Sequence, residues 1–187
     1  MTRGMNFILG ILLGTVALIL LLIIALIVKL SSPGPIIFWS ARVGKNNQLF
    51  QMPKFRTMRV DAPPDKASHL LKIPEVHLTS IGKILRKTSL DELPQIWSVI
   101  KGDMALVGPR PALYNQDDLI SMRTKAGIQN ISPGITGWAQ ILGRDELPIY
   151  EKVKLDEFYL KNRSFFLDLK ILALTLGAVF KWEQVSH

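Results

Sequence analysis

An unbroken apolar run near the N-terminus constrains this chain more than any other feature. The 22 residues from Phe7 to Val28 are uncharged and almost all aliphatic. As an α-helix they would extend about 33 Å, which is enough to cross the hydrocarbon core of a bilayer. The run is too long for the apolar part of a cleavable signal peptide, and no A-x-A-like cleavage site follows it. We therefore predict a permanent membrane helix.

The segment Ser31-Ser32-Pro33-Gly34-Pro35 ends this helix, because two prolines cannot continue it. It divides the chain into a membrane anchor, residues 1–35, and a domain, residues 36–187. Lys and Arg are dense just after the helix, so the positive-inside rule places the domain in the cytoplasm. A helix that turns back within the membrane would need a break such as a proline, and the run contains none. Both a re-entrant and a spanning helix stay open.

The positive charge of the chain is concentrated beside the apolar run. The formal net charge is +8, and residues 1–60 contain seven Lys or Arg residues but no Asp or Glu. This distribution favours contact with membrane lipids that carry anionic headgroups, or with phosphate ligands at the membrane. No nucleic acid partner is expected, since neither interleaved aromatic residues nor a helix-turn-helix pattern accompanies the charge.

The side chains available for chemistry are also restricted by composition. The chain has no cysteine, which excludes thiolate catalysis, disulfides and thiolate metal sites. Its three histidines do not lie at metal-ligand spacing. Any metal would be held by carboxylate oxygens, which suit Mg²⁺ and also Mn²⁺.

Beyond the anchor, the pattern predicts an α+β fold: a mainly helical cytoplasmic domain with a small β-hairpin and interfacial amphipathic helices. The hairpin strands are residues 36–43 and 48–52, joined by a Gly-Lys-Asn-Asn turn. Residues 61–77 have the composition of a long polar loop, and residues 132–140 that of a turn followed by a strand-like segment. Helices are predicted for residues 80–87, 93–101, 115–126, 151–161 and 164–182. The last helix fits the core and the membrane interface equally well.

Asp91 and Glu92 form a pair of adjacent carboxylates that follows several basic residues. The sequence from Ser89 to Glu92 matches the Ser-x-x-Glu capping box, and acidic residues are favoured in a first helical turn. On spacing alone, a helix cap is the simplest interpretation. However, Pro94 would then lie inside the helix, where its ring and missing N–H are costly. We therefore expect a distorted backbone, which could aim both carboxylates at one site.

Six short motifs in series resemble the bacterial sugar transferase family, the monotopic polyprenol-phosphate phosphoglycosyl transferases. Each motif is weak alone, but together they cover nearly the whole chain. The motifs are residues 54–58 (KFRTM), 89–95 (SLDELPQ), 101–104 (KGDM), 108–111 (GPRP), 133–137 (PGITG) and 167–172 (LDLKIL). Residues 110–116 further resemble a capsule-pathway branch that transfers N-acetylated 6-deoxy amino sugars.

The resemblance implies transfer of a phospho-sugar from a UDP-sugar to undecaprenyl phosphate, with release of UMP. This would be the first membrane step of capsule, O-antigen or glycoconjugate assembly. It implies that Asp91 is the nucleophile, which forms an aspartyl-phosphosugar, and that Glu92 and Asp91 hold Mg²⁺. It also implies residence at the bacterial inner membrane with the catalytic domain on the cytoplasmic face. A homodimer is compatible with this reading.

Basic residues would have to offset the charge of the diphosphate. Arg110, fixed between two prolines, suits bidentate phosphate binding. Further candidate ligands for the diphosphate or the lipid phosphate are Arg86, Lys54, Arg56 and Arg144. Asp156 and Asp168 match acidic positions of the family and could support the site. Pairing with nearby cations to hold the fold explains these two carboxylates equally well.

The chain departs from the family pattern at two places. Members usually carry Ser-Pro within the apolar helix, where this chain has Thr15-Val16-Ala17. Many also carry Arg at the position of Ser132, and if that Arg contacts phosphate, Arg144 or Arg123 would have to replace it. Two other functions stay open: a non-enzymatic membrane-anchored scaffold that binds anionic lipid in glycan assembly, and a membrane-tethered phosphohydrolase that uses the same aspartate.

Overall fold

The α+β class predicted from the sequence is confirmed by a computed structural model, which describes residues 1–61, 77–143 and 147–180. The predicted loop of residues 61–77 lies almost entirely outside the described residues. The helices are α1 (Arg3–Ser31), α2 (Ser80–Lys87), α3 (Ile96–Lys101), α4 (Asp117–Lys125), α5 (Trp138–Gly143), α6 (Ile149–Asn162) and α7 (Phe165–Phe180). The strands are β1 (Ile37–Val43), β2 (Leu49–Phe55), β3 (Ala105–Val107) and β4 (Gly134–Thr136). A short 3₁₀ helix, Leu90–Gln95, carries the two adjacent carboxylates and is called the dyad helix below.

Helix α1 packs one narrow face against the rest of the protein along its whole length. Near its start, the Asn6 side chain accepts a hydrogen bond from the backbone N–H of Leu106 at 3.1 Å. Gly10 then lies against α3, and near its end Ile24 and Val28 are buried against β2 and α2. Because both ends of α1 contact the domain, the helix does not extend away from it.

The other faces of α1 are covered with exposed aliphatic side chains. By length and composition the helix could cross a membrane, yet only 11% of its most apolar window is buried inside the protein. So large an exposed apolar surface is unfavourable in water and indicates contact with lipid. The helical backbone continues through Thr15, whose hydroxyl donates to the Ile11 carbonyl at 2.8 Å. Helix α1 is thus continuous at the position where members of the family that the motifs resemble usually carry Ser-Pro.

The two β-sheets are small, with two strands each. Strands β1 and β2 form the predicted antiparallel hairpin, in which Ile37 pairs with Phe55 and Val43 with Leu49. Strands β3 and β4 form a parallel pair that no sequence pattern predicted, with Val107 opposite Thr136. Close backbone approach at this pair requires glycine, since a Cβ on Gly134 would lie 2.1 Å from the Gly108 nitrogen.

The main hydrophobic core lies between β2, α3, β3, α6 and α7. Its buried members are Met52, Val99, Met104, Leu106, Val107, Ile131, Tyr159 and Ile171. Helix α7 contributes to the core through Ile171, which is fully buried, whereas Phe166 is 80% exposed. Its contact with the membrane interface stays a prediction.

One secondary-structure prediction is wrong. Residues 132–140 are strand-like only at β4, and the chain becomes helical from Trp138. Gly137 allows the change of direction, because its α-carbon faces the Gly108 carbonyl so closely that a Cβ would lie 2.1 Å from that oxygen. The following Ala139, Gln140 and Leu142 are strong helix formers.

Substituting Gly10 should test whether α1 is docked on α3. A Cβ at Gly10 would lie 3.1 Å from Ile100 Cγ1, so Gly10→Leu must push the two helices apart. We expect a loss of about 1–3 kcal/mol of stability, typical of overpacking. Gly4→Leu is the matched control, because no atom lies within 4 Å of a Cβ there. Thermal unfolding of the detergent-solubilised variants would show it, and equal midpoints for the two would contradict the docking.

Candidate active site

The dyad helix is distorted in the way that its proline predicts. Ser89 makes no capping hydrogen bond and has a left-handed backbone (φ 56°), so the capping box does not form. Pro94 lies within a 3₁₀ helix rather than an α-helix, and α3 begins only after Gln95. A left-handed conformation at a residue other than glycine is strained, and such strain is often found at functional sites.

The residues beside the carboxylates attach this helix to the membrane helix. Leu90 and Leu93 pack against the buried cluster that contains Ile24 and Val28 of α1. The dyad helix therefore packs directly against α1.

Glu92 is the electrostatic centre of the site. Its Oε1 accepts from Lys54 Nζ at 2.6 Å and from Arg110 Nη2 at 3.0 Å. The Glu92 side chain is 18% exposed. Burial alone would raise the pKa of Glu92, but Arg110 and Lys54 outweigh it and hold that pKa well below the usual range. Glu92 is therefore ionised at neutral pH.

Asp91 has the opposite character, although it is the next residue. It is 7% exposed, and burial raises its pKa. The cations of Lys54, Arg86 and Arg110 oppose that increase, and Glu92 adds to it. Adjacent carboxylates whose pKa values move in opposite directions are suited to separate chemical roles.

Arg86 is the third cation of the site and is held by a side chain of the KFRTM motif. Its Nε donates to the Thr57 hydroxyl at 2.9 Å, and it interacts electrostatically with Asp91. Burial lowers the pKa of Arg86 and Asp91 raises it, but an arginine remains protonated at neutral pH. Thr57 was not among the residues singled out from the sequence, although it lies inside a motif that was.

Arg56 is placed differently from the other predicted phosphate ligands. It is 6% exposed, and its guanidinium donates to the carbonyl oxygens of Ser32 and Pro33, just after α1 ends. A Cβ at Gly34 would lie 2.1 Å from Arg56 Nη1, so the turn wraps closely around this side chain. These contacts join the end of α1 to β2, and phosphate binding by Arg56 stays a prediction.

The two supporting carboxylates are each paired within the fold. Asp168 accepts a hydrogen bond from the Tyr159 hydroxyl at 2.7 Å and forms an ion pair with the Met1 amino group. Asp156 is paired with Arg123 at 2.6 Å. The structure therefore agrees with the interpretation that they hold the fold. Arg144 lies outside the described residues.

The carboxylate pair fits a magnesium ion only in company with a substrate. The described residues contain no group of three or more His, Asp or Glu side chains that could hold a metal. Mg²⁺ is commonly bound by one or two carboxylates together with substrate phosphates and water. Asp91 and Glu92 supply two adjacent carboxylates, so the donor set suits Mg²⁺ shared with a phosphate ligand.

A family model described as "Bacterial sugar transferase" matches residues 1–182. The chain belongs to the bacterial sugar transferase family. It is therefore an enzyme of the transferase class, and the resemblance found in its motifs is confirmed. The family match includes α1, the hairpin, the dyad helix and the loop that carries Arg110.

Curated relatives show how far this similarity extends. EpsL of Bacillus subtilis (strain 168), described as an uncharacterized sugar transferase, is 44% identical over 169 residues, covering 90% of this chain and 82% of the relative. The UDP-glucose:undecaprenyl-phosphate glucose-1-phosphate transferase of Escherichia coli (strain K12) is 41% identical over 172 residues, covering 85% of this chain and 37% of the relative. The UDP-N-acetylgalactosamine-undecaprenyl-phosphate N-acetylgalactosaminephosphotransferase of Aeromonas hydrophila is 35% identical over 182 residues, covering 95% and 43%. The chain thus spans less than half the length of the last two.

Neutralising the two carboxylates should change stability in opposite directions. Because the pKa of Asp91 is raised, its ionised form at pH 7 disfavours folding, and Asp91→Asn should raise the unfolding midpoint. The pKa of Glu92 is lowered, so its charge stabilises the fold above pH 4.5, and Glu92→Gln should cost about 1–3 kcal/mol at pH 7.

Thermal unfolding at pH 7 and at lower pH would measure both effects. The advantage of Asp91→Asn should shrink as the pH falls and wild-type Asp91 takes up a proton. Glu157→Gln is the control, because the Glu157–Lys161 pair is exposed and contributes little. A lower midpoint for Asp91→Asn than for the wild type at pH 7 would contradict the interpretation.

Proposed function

We propose that this enzyme transfers a phospho-sugar from a UDP-sugar to undecaprenyl phosphate and releases UMP. The observation that carries the proposal is the buried pair of unlike carboxylates, surrounded by Lys54, Arg86 and Arg110. Three such cations beside a nucleophilic carboxylate match the needs of a diphosphate substrate. The printed names of the E. coli and A. hydrophila relatives support the same donor and acceptor classes.

The reaction follows a covalent route through Asp91. A carboxylate oxygen of Asp91 attacks the β-phosphorus of the UDP-sugar, the bond to the bridging oxygen breaks, and UMP leaves with the electron pair. A phosphate oxygen of the lipid then attacks the same phosphorus, and the Asp91 carboxylate is released. Burial removes water from Asp91, which leaves its anion a stronger nucleophile.

The cations that hold Glu92 in the free enzyme also serve the substrate. Arg110 and Lys54 lie at one carboxylate oxygen and are close enough to Asp91 to influence it, so the β-phosphate would enter their field. They offset the repulsion between the attacking carboxylate and the diphosphate. Mg²⁺, held by Asp91, Glu92 and the phosphates, would supply further neutralisation of the same charge.

The enzyme works at the cytoplasmic face of the bacterial inner membrane, with both ends of α1 on that side and the exposed aliphatic faces of α1 in contact with lipid. This topology rests on the contacts of both ends of α1 with the domain. Asn6 binds Leu106 near the start of the helix, and Val28 near its end packs in the cluster that includes Leu90 and Leu93. A helix that spanned the bilayer would carry Asn6 away from the domain. The concentration of Lys and Arg in residues 1–60 supports the cytoplasmic side.

The first test is UMP release from a panel of UDP-sugars, including N-acetylated deoxy amino sugars, with undecaprenyl phosphate and Mg²⁺. We expect at least one donor to be used, and Asp91→Asn to lower the rate at least about 1,000-fold, because the nucleophile is lost. Glu157→Gln is the control and should retain wild-type activity. Retained activity in Asp91→Asn would remove Asp91 as the nucleophile.

The same assay separates the other functions considered. A scaffold would release no UMP with any donor, and a phosphohydrolase would release phospho-sugar to water without the lipid acceptor.

Topology is testable because the chain has no cysteine. Gly4→Cys would place a thiol at an exposed position near the start of α1, where a side chain meets no other atom. Lys125→Cys would place one on exposed α4. We expect a membrane-impermeant thiol reagent to label both from the cytoplasmic side only, with the wild type as the unlabelled control. Labelling of Gly4→Cys from the outer side alone would rule out the proposed topology.

A further inference from the structure

The loop that carries Arg110 is held mainly by hydrogen bonds from other elements of the protein. Pro109 and Pro111 have no backbone N–H, so two of the donors that could form hydrogen bonds within the loop are missing. Its four successive carbonyl oxygens accept instead from other elements. The contacts are Gly134 N to Pro109 O (2.9 Å), Arg123 Nη1 to Arg110 O (2.8 Å), Arg42 Nη1 to Pro111 O (3.2 Å) and Val43 N to Ala112 O (2.9 Å).

Arg123 makes the contact nearest to the chemistry, because it binds the carbonyl of Arg110 itself. Its other two nitrogens also donate: Nε and Nη2 both bind Asp156 Oδ2, at 3.0 and 2.6 Å. The side chains of Arg123 and Asp156 are only 11% and 2% exposed. One edge of the Arg123 guanidinium thus binds Asp156 of α6, and its remaining nitrogen binds the loop.

A buried ion pair of this kind is weak evidence for a role in stability alone. Removing two charges from water costs several kcal/mol per ion, and apolar side chains of similar volume often serve the fold as well or better. The shape of the guanidinium gives a better reason for an arginine here than stability does. A planar guanidinium can bind a carboxylate and a carbonyl at the same time in fixed directions. A lysine could satisfy either acceptor, but not both in that geometry.

We propose that Arg123, oriented by Asp156, is a positioning residue for Arg110. The contacts form one series across the molecule, from Asp156 through Arg123 to the Arg110 carbonyl, and from the Arg110 guanidinium to Glu92. By fixing the peptide between Arg110 and Pro111, Arg123 sets the direction in which the Arg110 side chain leaves the backbone. The inference rests on the proposed function, in which Arg110 binds the substrate diphosphate.

This role differs from the one suggested by the sequence. Arg123 was a candidate to replace the phosphate-binding Arg that many relatives carry at the position of Ser132. Its donors point to Asp156 and to the loop backbone, so it acts on the phosphate through Arg110. A displacement of about 1 Å at a substrate-positioning group can cost about 100-fold in rate.

The test is a double-mutant cycle between the pair and Arg110. The variant Arg123→Met with Asp156→Leu removes the donor to Arg110 without leaving a buried charge, so the protein is expected to stay folded. The cycle compares it with Arg110→Ala and with the triple variant, measuring kcat and KM for UMP release and the Kd for UDP. Arg123→Lys and Lys125→Ala complete the set, the latter as an exposed control on the same helix.

If Arg123 acts through Arg110, losing the pair should lower kcat/KM about 10–100-fold and weaken UDP binding in the wild-type background only. In the Arg110→Ala background the same change should have almost no further effect. Arg123→Lys should not restore activity, and Lys125→Ala should match the wild type. Equal losses in both backgrounds, or no loss in a folded pair variant, would overturn the inference.

The UDP affinities keep this inference separate from the proposed function. If the wild type binds UDP but releases no UMP from any donor, the proposed reaction fails and the cycle on Kd still decides the role of Arg123. If the wild type neither binds UDP nor releases UMP, both proposals fail together.

Discussion

The oxygen Oε1 of Glu92 connects three parts of the chain that are far apart in the sequence. It binds Lys54 from the hairpin and Arg110 from the proline-rich loop, and it belongs to the dyad helix. The attraction of two cations outweighs the cost of burying the carboxylate, as the lowered pKa of Glu92 indicates. Asp91 lies in the field of the same cations, but there burial outweighs them and raises its pKa. The balance between burial and the cations thus creates the difference between the two carboxylates.

The membrane helix contributes to this site as well as to anchoring. The buried stripe of α1 packs under Leu90 and Leu93, the neighbours of the carboxylates, while its other faces remain aliphatic and exposed. Hydrophobic packing therefore holds the helix that carries the two carboxylates against α1. The Arg110 loop is held by arginine side chains, since Arg42 donates to the Pro111 carbonyl and Arg123 to the Arg110 carbonyl.

Local patterns predicted most elements well. The run Phe7–Val28 became α1, the helix at Ser80–Lys87 has the predicted bounds, and Pro94 correctly indicated a distorted backbone. The wrong secondary-structure prediction, a strand-like segment after Gly137, relied on local preference alone. Tertiary contact overrode that preference, since Gly137 lies so close to the Gly108 carbonyl that no side chain fits there.

The sequence by itself determined that this is a membrane-associated α+β enzyme of the sugar transferase family, because a long apolar run and ordered motifs are read along the chain without any distance. Only the tertiary structure decided which charges meet. Lys54 and Arg110 reach Glu92, whereas Arg56 binds the backbone that follows α1. Arg123 donates to the Arg110 carbonyl and to Asp156. The sequence does not distinguish the partners of these four basic residues. Electrostatic interactions depend on separations of a few ångströms between residues that are far apart in the chain, and these separations exist only once the protein has folded.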